Sequence, residues 1–188
     1  MSALPNPVSI ADENQRLAAL LRQSRERVLA SCAGVAEEQC RCVPAEGCWS
    51  VLDCVEHVAA AESGLFRLLN TTRRPRPAGT PDREQFFLEN MTDRSRKAES
   101  PERGRPTGRF PTLEAARQQF EAARAETIRS VEANKDDLRA IEVTHPLFAA
   151  VSAYEMVIIL AKHAERHALQ IEEIKKSPAF LAGEGNRS

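Results

Sequence analysis

The last third of the chain carries SAYEMVIILAKHAERHALQIEEIKK, about residues 152–176, and no other stretch restricts the fold so tightly. Ser152 with Glu155 three residues on is a capping-box start. Met156, Leu160, His163, His167, Ile171 and Ile174 then recur at steps of three or four, the inward stripe of an amphipathic helix. Two of these inward positions carry imidazoles where leucine is the expectation. At about 100° per residue, positions i and i+4 share a face, with Cβ atoms roughly 6 Å apart. Two readings fit His163 and His167. They are hydrogen-bonded core residues, or they share a divalent cation as paired helical histidines do. Either way, imidazoles buried without partners cost several kcal/mol, roughly, so something must satisfy them. Glu165 lies between them on the other side of the helix, toward solvent.

A bundle helix needs partners, and the sequence supplies three. QRLAALLRQSRERVLA, with Leu17, Leu20, Leu21, Val28 and Cys32 at helical spacing, predicts a first helix over about residues 11–32. Ser50 and Asp53 open a second, to about residue 70, with inward Cys54, His57 or Val58, Ala61, Leu65 and Leu68. Trp49 anchors its start against the core. A third begins at Thr112, with Leu113, Ala116, Phe120, Ala123, Thr127 and Val131 inward. No segment alternates convincingly enough for a strand, and KDDLRAIEVTHPLFAA reads as irregular, broken at His145-Pro146. The expected fold is all-α: a four-helix bundle in one domain over residues 1–188, with a long connection between helices two and three. That connection, residues 71–111, is rich in Pro, Gly and charge, with a possible short helix near residues 82–97. The tail from residue 178 is expected to fray.

Composition removes several function classes. A chain of 188 residues with 42% hydrophobic and 28% charged residues is an ordinary globular protein. Its net charge of −1 disfavours nucleic acid and anionic membrane as electrostatic partners. No apolar run approaches the roughly 20 residues of a membrane span. The start, MSALPNPVSIADEN, has no basic n-region and no apolar h-region, so the expected location is cytoplasmic. The five cysteines are odd in number and form no C-x-x-C; they read as free thiols or small core residues.

The chain has four histidines: His57, His145, His163 and His167. Three lie on inward helix faces, near the middle of the second and last helices. Three neutral imidazoles with one open position suit a catalytic zinc-type site, and nickel or iron(II) would accept the same ligands. The motifs W-S-V-L-D-C-V-E-H-V-A-A-A-E, R-P-T-G-R-F-P-T-L-E-A-A and H-P-L-F-A-A-V-S-A-Y-E leading to A-K-H-A-E-R-H-A-L-Q-I carry a further signal. In that order they resemble the DinB/YfiT-like superfamily, over most of the chain. The resemblance implies a four-helix bundle with a metal-binding triad, here His57, His163 and His167. It implies a divalent metal, zinc or nickel first and iron after them. It also implies a small-molecule substrate, a low-molecular-weight thiol co-substrate, transferase or hydrolase activity, and a homodimer. Phe86, Phe87 and Met91 offer apolar surface for that pairing. One departure stands out: relatives have Gly in H-P-x-x-G where this chain has Ala149 or Ala150.

Three residues near the triad are pocket or second-layer candidates. Cys54, one turn before His57, faces the metal or fills the core. Glu62 sits at a bundle end or behind the ligands. His145 lines the mouth of the site or caps its turn. Three function classes stay open: a metal-dependent transferase or hydrolase, a non-catalytic metal-binding or stress-response bundle, and a di-iron ferritin-like protein. The last needs Glu-x-x-His on two helices, and the sole instance here is Glu142 to His145, in a loop.

Overall fold

A computed structural model describes residues 9–95, 100 and 102–182. Four long helices make the bundle: α1 (Ile10–Cys32), α2 (Val51–Thr71), α4 (Leu113–Ala133) and α5 (Ala153–Lys175). Short helices α3 (Glu84–Asn90) and α6 (Pro178–Ala182) and a 3-10 turn (Glu102–Gly104) complete the helical part. Each long helix starts at a hydroxyl cap. Ser9 accepts from the Asp12 amide and Thr112 from the Ala115 amide. Ser50–Asp53 and Ser152–Glu155 form full capping boxes, as their spacing predicts.

The α1 helix packs on α5 and α4, and α2 packs on α4 and α5. Around the bundle the order is therefore α1, α5, α2, α4, and the two helices that carry histidines are neighbours. The first half of α5 is buried on every side, because α1, α2, α3 and a small sheet all cover it. No helix among the described residues is long and apolar enough to cross a membrane.

That sheet is the main departure from the sequence reading. Three antiparallel strands, β1 (Arg74–Pro75), β2 (Ile141–His145) and β3 (Ala149–Ser152), pair in the order β1-β2-β3. The His145-Pro146 break is a hairpin turn: His145 pairs with Ala149 across a three-residue loop. Strands of four or five residues whose burial alternates only in part leave too weak a period to read. Glu142 stands on β2, ion-paired to Arg74, so no di-iron Glu-x-x-His helix exists there. The tail also differs. Pro178–Ala182 is helical because Phe180, 3% exposed, inserts into the core. Residues 96–97 of the expected short helix and 183–188 of the tail lie outside the described residues.

On α4 the inward residue is Arg124 rather than Ala123. Arg124 is fully buried and its guanidinium grips both oxygens of Glu62 on α2, at 2.9 and 2.7 Å. It also donates to the Leu21 carbonyl and Ser24 hydroxyl on α1 and to the Leu160 carbonyl on α5. Thr127 donates a further bond to Glu62. Glu165 is not turned to solvent. Its side chain is 12% exposed, held by Lys162 and Arg27. Of the residues offered for pairing, Phe87 is buried in this chain's own core and Met91 packs against it, which leaves Phe86 exposed.

Two stability predictions follow from this packing. Ala149 has φ of 55°, the left-handed conformation that closes a three-residue hairpin and suits glycine. Ala149→Gly, the residue of the related pattern, should therefore raise unfolding free energy by about 0.5–1 kcal/mol after glycine's larger unfolded-state entropy is counted. Urea denaturation midpoints measure it. Glu62→Ala strands the Arg124 cation in the core and should cost about 3–5 kcal/mol. A variant within 1 kcal/mol of wild type, roughly, would remove the pair from that role.

Candidate metal centre

His57 lies two turns into α2, and His163 and His167 lie midway along α5. Ala59, Ala164 and Ala168 near them are small and buried, packed in one cluster with Val28 of α1 and Phe120 of α4. The Nε2 atoms of His57 and His163 are 3.0 Å apart, and those of His163 and His167 are 3.2 Å apart. The three rings meet edge-on, with centroids 4.6 to 4.9 Å apart. Trp49 covers one side, 4.8 Å from the His57 ring and stacked 5.8 Å from His167. His57 and His167 are buried, while His163 is part-exposed.

The outer ring nitrogens decide which atoms face the centre. His57 Nδ1 is 2.5 Å from the Gly104 carbonyl, which can only accept, so Nδ1 carries the proton and Nε2 a lone pair. His167 Nδ1 is 2.9 Å from Gln170 Oε1. Arg94 also donates to that oxygen, which identifies it as the acceptor and makes His167 Nδ1 a donor too. Two lone pairs therefore converge on His163 Nε2. A single proton on that nitrogen cannot point at both. Three convergent imidazole nitrogens with anchored outer N–H groups are what a divalent cation requires. These residues fit a metal ion by their own donor chemistry.

Electrostatics favour the same state. Burial lowers the pKa of all three rings from the usual histidine value. For His163 and His167, which fall well below it, the neighbouring imidazoles and Arg166 add to the effect. For His57 the Gly104 carbonyl opposes burial, and Arg109 reinforces it. The rings are neutral at pH 7, the form that binds metal.

Among the described residues, these three histidines make up the cluster of His, Cys, Asp and Glu side chains able to hold a metal. The other candidates serve elsewhere. Cys54 is fully buried in an apolar cluster with Cys32, Cys40 and Ile171. Burial pushes its thiol pKa up, so it stays protonated. All five cysteines are free. Glu62 belongs to Arg124. His145 caps the hairpin: its Nδ1 accepts from the Leu147 and Phe148 amides at 3.0 and 3.2 Å. Gly104, Gln170 and the Trp49 ring contacts escaped the sequence reading. Gln170, one turn after His167, was within its reach. Gly104 lies 47 residues from its partner, and no local pattern marks it.

Over residues 20–171 the chain matches the DinB superfamily. It belongs to that family. YuaE of Bacillus subtilis (strain 168), an uncharacterized protein, is 21% identical over 143 residues, which is 76% of this chain and 87% of YuaE. Among solved structures, this DinB chain resembles YfiT from Bacillus subtilis, described as a probable metal-dependent hydrolase with an unusual four-helix bundle topology. That likeness has a TM-score of 0.58 at 13% identity and covers 93% of this chain and 92% of YfiT, a match of fold.

Metal-free protein should lose stability in acid. His145 is held down to about 4 by burial and by Arg83, and the triad is lowered as well. A folded-state pKa below the unfolded value of about 6.5 means the unfolded chain takes up protons first as pH falls. Stability is then complete above pH 6.5 and declines from there toward 4, by up to about 1.4 kcal/mol per pH unit per histidine. Denaturation in chelator at pH 7.5 and 5.0 checks this. The difference should shrink in His145→Asn, and equal stability at both pH values would contradict the assignment.

Proposed function

We propose that this chain is a metal-dependent enzyme of the DinB superfamily that acts on a small molecule, with one divalent ion held by His57, His163 and His167. The observation that carries the reading is the meeting of three Nε2 atoms whose rings are neutral, two of them with the outer nitrogen committed as a donor. Zinc and nickel suit three imidazoles, and iron(II) also fits. Such an ion supplies Lewis acidity, polarising a carbonyl or phosphoryl oxygen and favouring the deprotonated form of a water or a low-molecular-weight thiol.

The protein's own contribution is orientation. Gly104 and Gln170 fix two rings in one tautomer and direct their Nε2 atoms inward. Trp49 shields one side of the imidazoles, and His163 is the least buried of the three. Three protein ligands, with the fourth position left to water or a reactant, are the set of a catalytic rather than a closed structural site. A thiol S-transferase and a hydrolase are the two reaction classes this site supports. A non-catalytic metal-binding bundle is the alternative, and an inaccessible fourth position would favour it.

Tag-free protein should carry about one equivalent of a divalent metal by elemental analysis, and His167→Ala should lose it. Chelation should lower the melting temperature at pH 7.5, because metal bound to the folded state adds stability. Full metal content in His167→Ala would overturn the ligand set. Thiol conjugation and ester or amide hydrolysis, assayed with the loaded protein, separate the two reaction classes.

A further inference from the structure

The connection between α2 and α4 is tied to α2 directly beside the metal centre. Glu56, the residue before His57, is 1% exposed. One of its carboxylate oxygens accepts from the Thr107 amide at 2.6 Å, and the other accepts from the Arg109 amide at 2.9 Å. The Arg109 guanidinium lies 3.7 Å from the same carboxylate. A buried carboxylate costs several kcal/mol, roughly, unless such donors meet it, so Glu56 and these amides specify one placement of the strap 104–109. At the start of this strap the Gly104 carbonyl receives the His57 Nδ1 proton. The approach is close: a Cβ on Gly104 would lie 2.9 Å from Ser100 Oγ and 3.4 Å from His57 Cε1.

We infer that Glu56 is a positioning residue of the metal centre: through the strap it sets the Gly104 carbonyl against His57 and so presents His57 Nε2 to the ion. Its bonds run to backbone amides of the strap, and its effect on the ring passes through Gly104. Glu56→Gln keeps the shape but turns an amide NH2 toward one of the two N–H donors, which frees the strap. Gly104→Ala attacks the same link from the far end and leaves α2 untouched. The inference rests on the three-histidine metal reading, and the test separates the two.

Nitrogen-15 NMR of the His57 ring in metal-free full-length protein should show a single Nδ1–H tautomer in wild type. Glu56→Gln and Gly104→Ala should keep the helical circular dichroism but give a mixture of tautomers. Their zinc affinity, by competition with a chromophoric chelator, should weaken roughly 10–100-fold, the usual effect of losing a group that orients a ligand. An Nε2–H tautomer in the wild type overturns the inference at once. So do folded variants that keep both the Nδ1–H tautomer and wild-type zinc affinity. If wild type binds no zinc, the metal reading fails, and the ring tautomers still decide whether Glu56 sets His57. If one variant fails to fold, the other decides.

Discussion

The bundle closes around one buried cation. The Arg124 guanidinium on α4 reaches Glu62 on α2, Leu21 and Ser24 on α1, and Leu160 on α5, so all four long helices share a single hydrogen-bonded node. An apolar side chain there would tolerate sliding of one helix along another. A forked donor with several committed acceptors does not, since each lost partner leaves a buried charge poorly solvated. Leu160 lies three residues before His163, and Glu62 five after His57. The node thereby sets the axial registry at which the two histidine-bearing helices meet.

Given that registry, the histidine cluster is an electrostatic problem solved by tautomers. Burial keeps the imidazoles neutral, helped by neighbouring rings at His163 and His167 and by Arg109 at His57. Carbonyl-type oxygens on Gly104 and Gln170 then accept hydrogen bonds from the outer N–H groups of His57 and His167, which leaves their Nε2 lone pairs facing inward. The cost of gathering such acceptors in a poorly hydrated place is offset when a cation binds them, which couples metal affinity to folding. Two histidines come from one helix turn and the third from a neighbouring helix. The geometry is therefore only as firm as the α2–α5 contact.

The long connection does more than join helices. Its first part lies on α5: the Arg83 amide donates to Glu155, which also caps that helix. Its last part lies on α2 through Glu56. Both anchors are carboxylates on the two histidine-bearing helices, and both accept hydrogen bonds from backbone amides. These polar bonds place the proline- and glycine-rich stretches of the segment, while Phe87 on α3 anchors its middle in the core.

What the sequence alone determined is the local layer. The four long helices lie within one or two residues of their expected bounds, because hydroxyl caps and a 3.6-residue apolar period act over a few neighbouring residues. The pairing of His163 with His167 is of this kind too, and the same periodicity put His57 on or beside the inward face of the second helix. Only the tertiary structure decided the rest. Whether Cys54, Glu62 and His145 faced the site depended on which partner each met across the bundle: an apolar cluster, Arg124 and a hairpin turn. The small sheet formed because β2 and β3 close a hairpin and β1 adds from 66 or more residues away. The Gly104 carbonyl reached His57 across 47 residues. Such contacts follow from the packing of distant elements, and no periodicity within a segment encodes them.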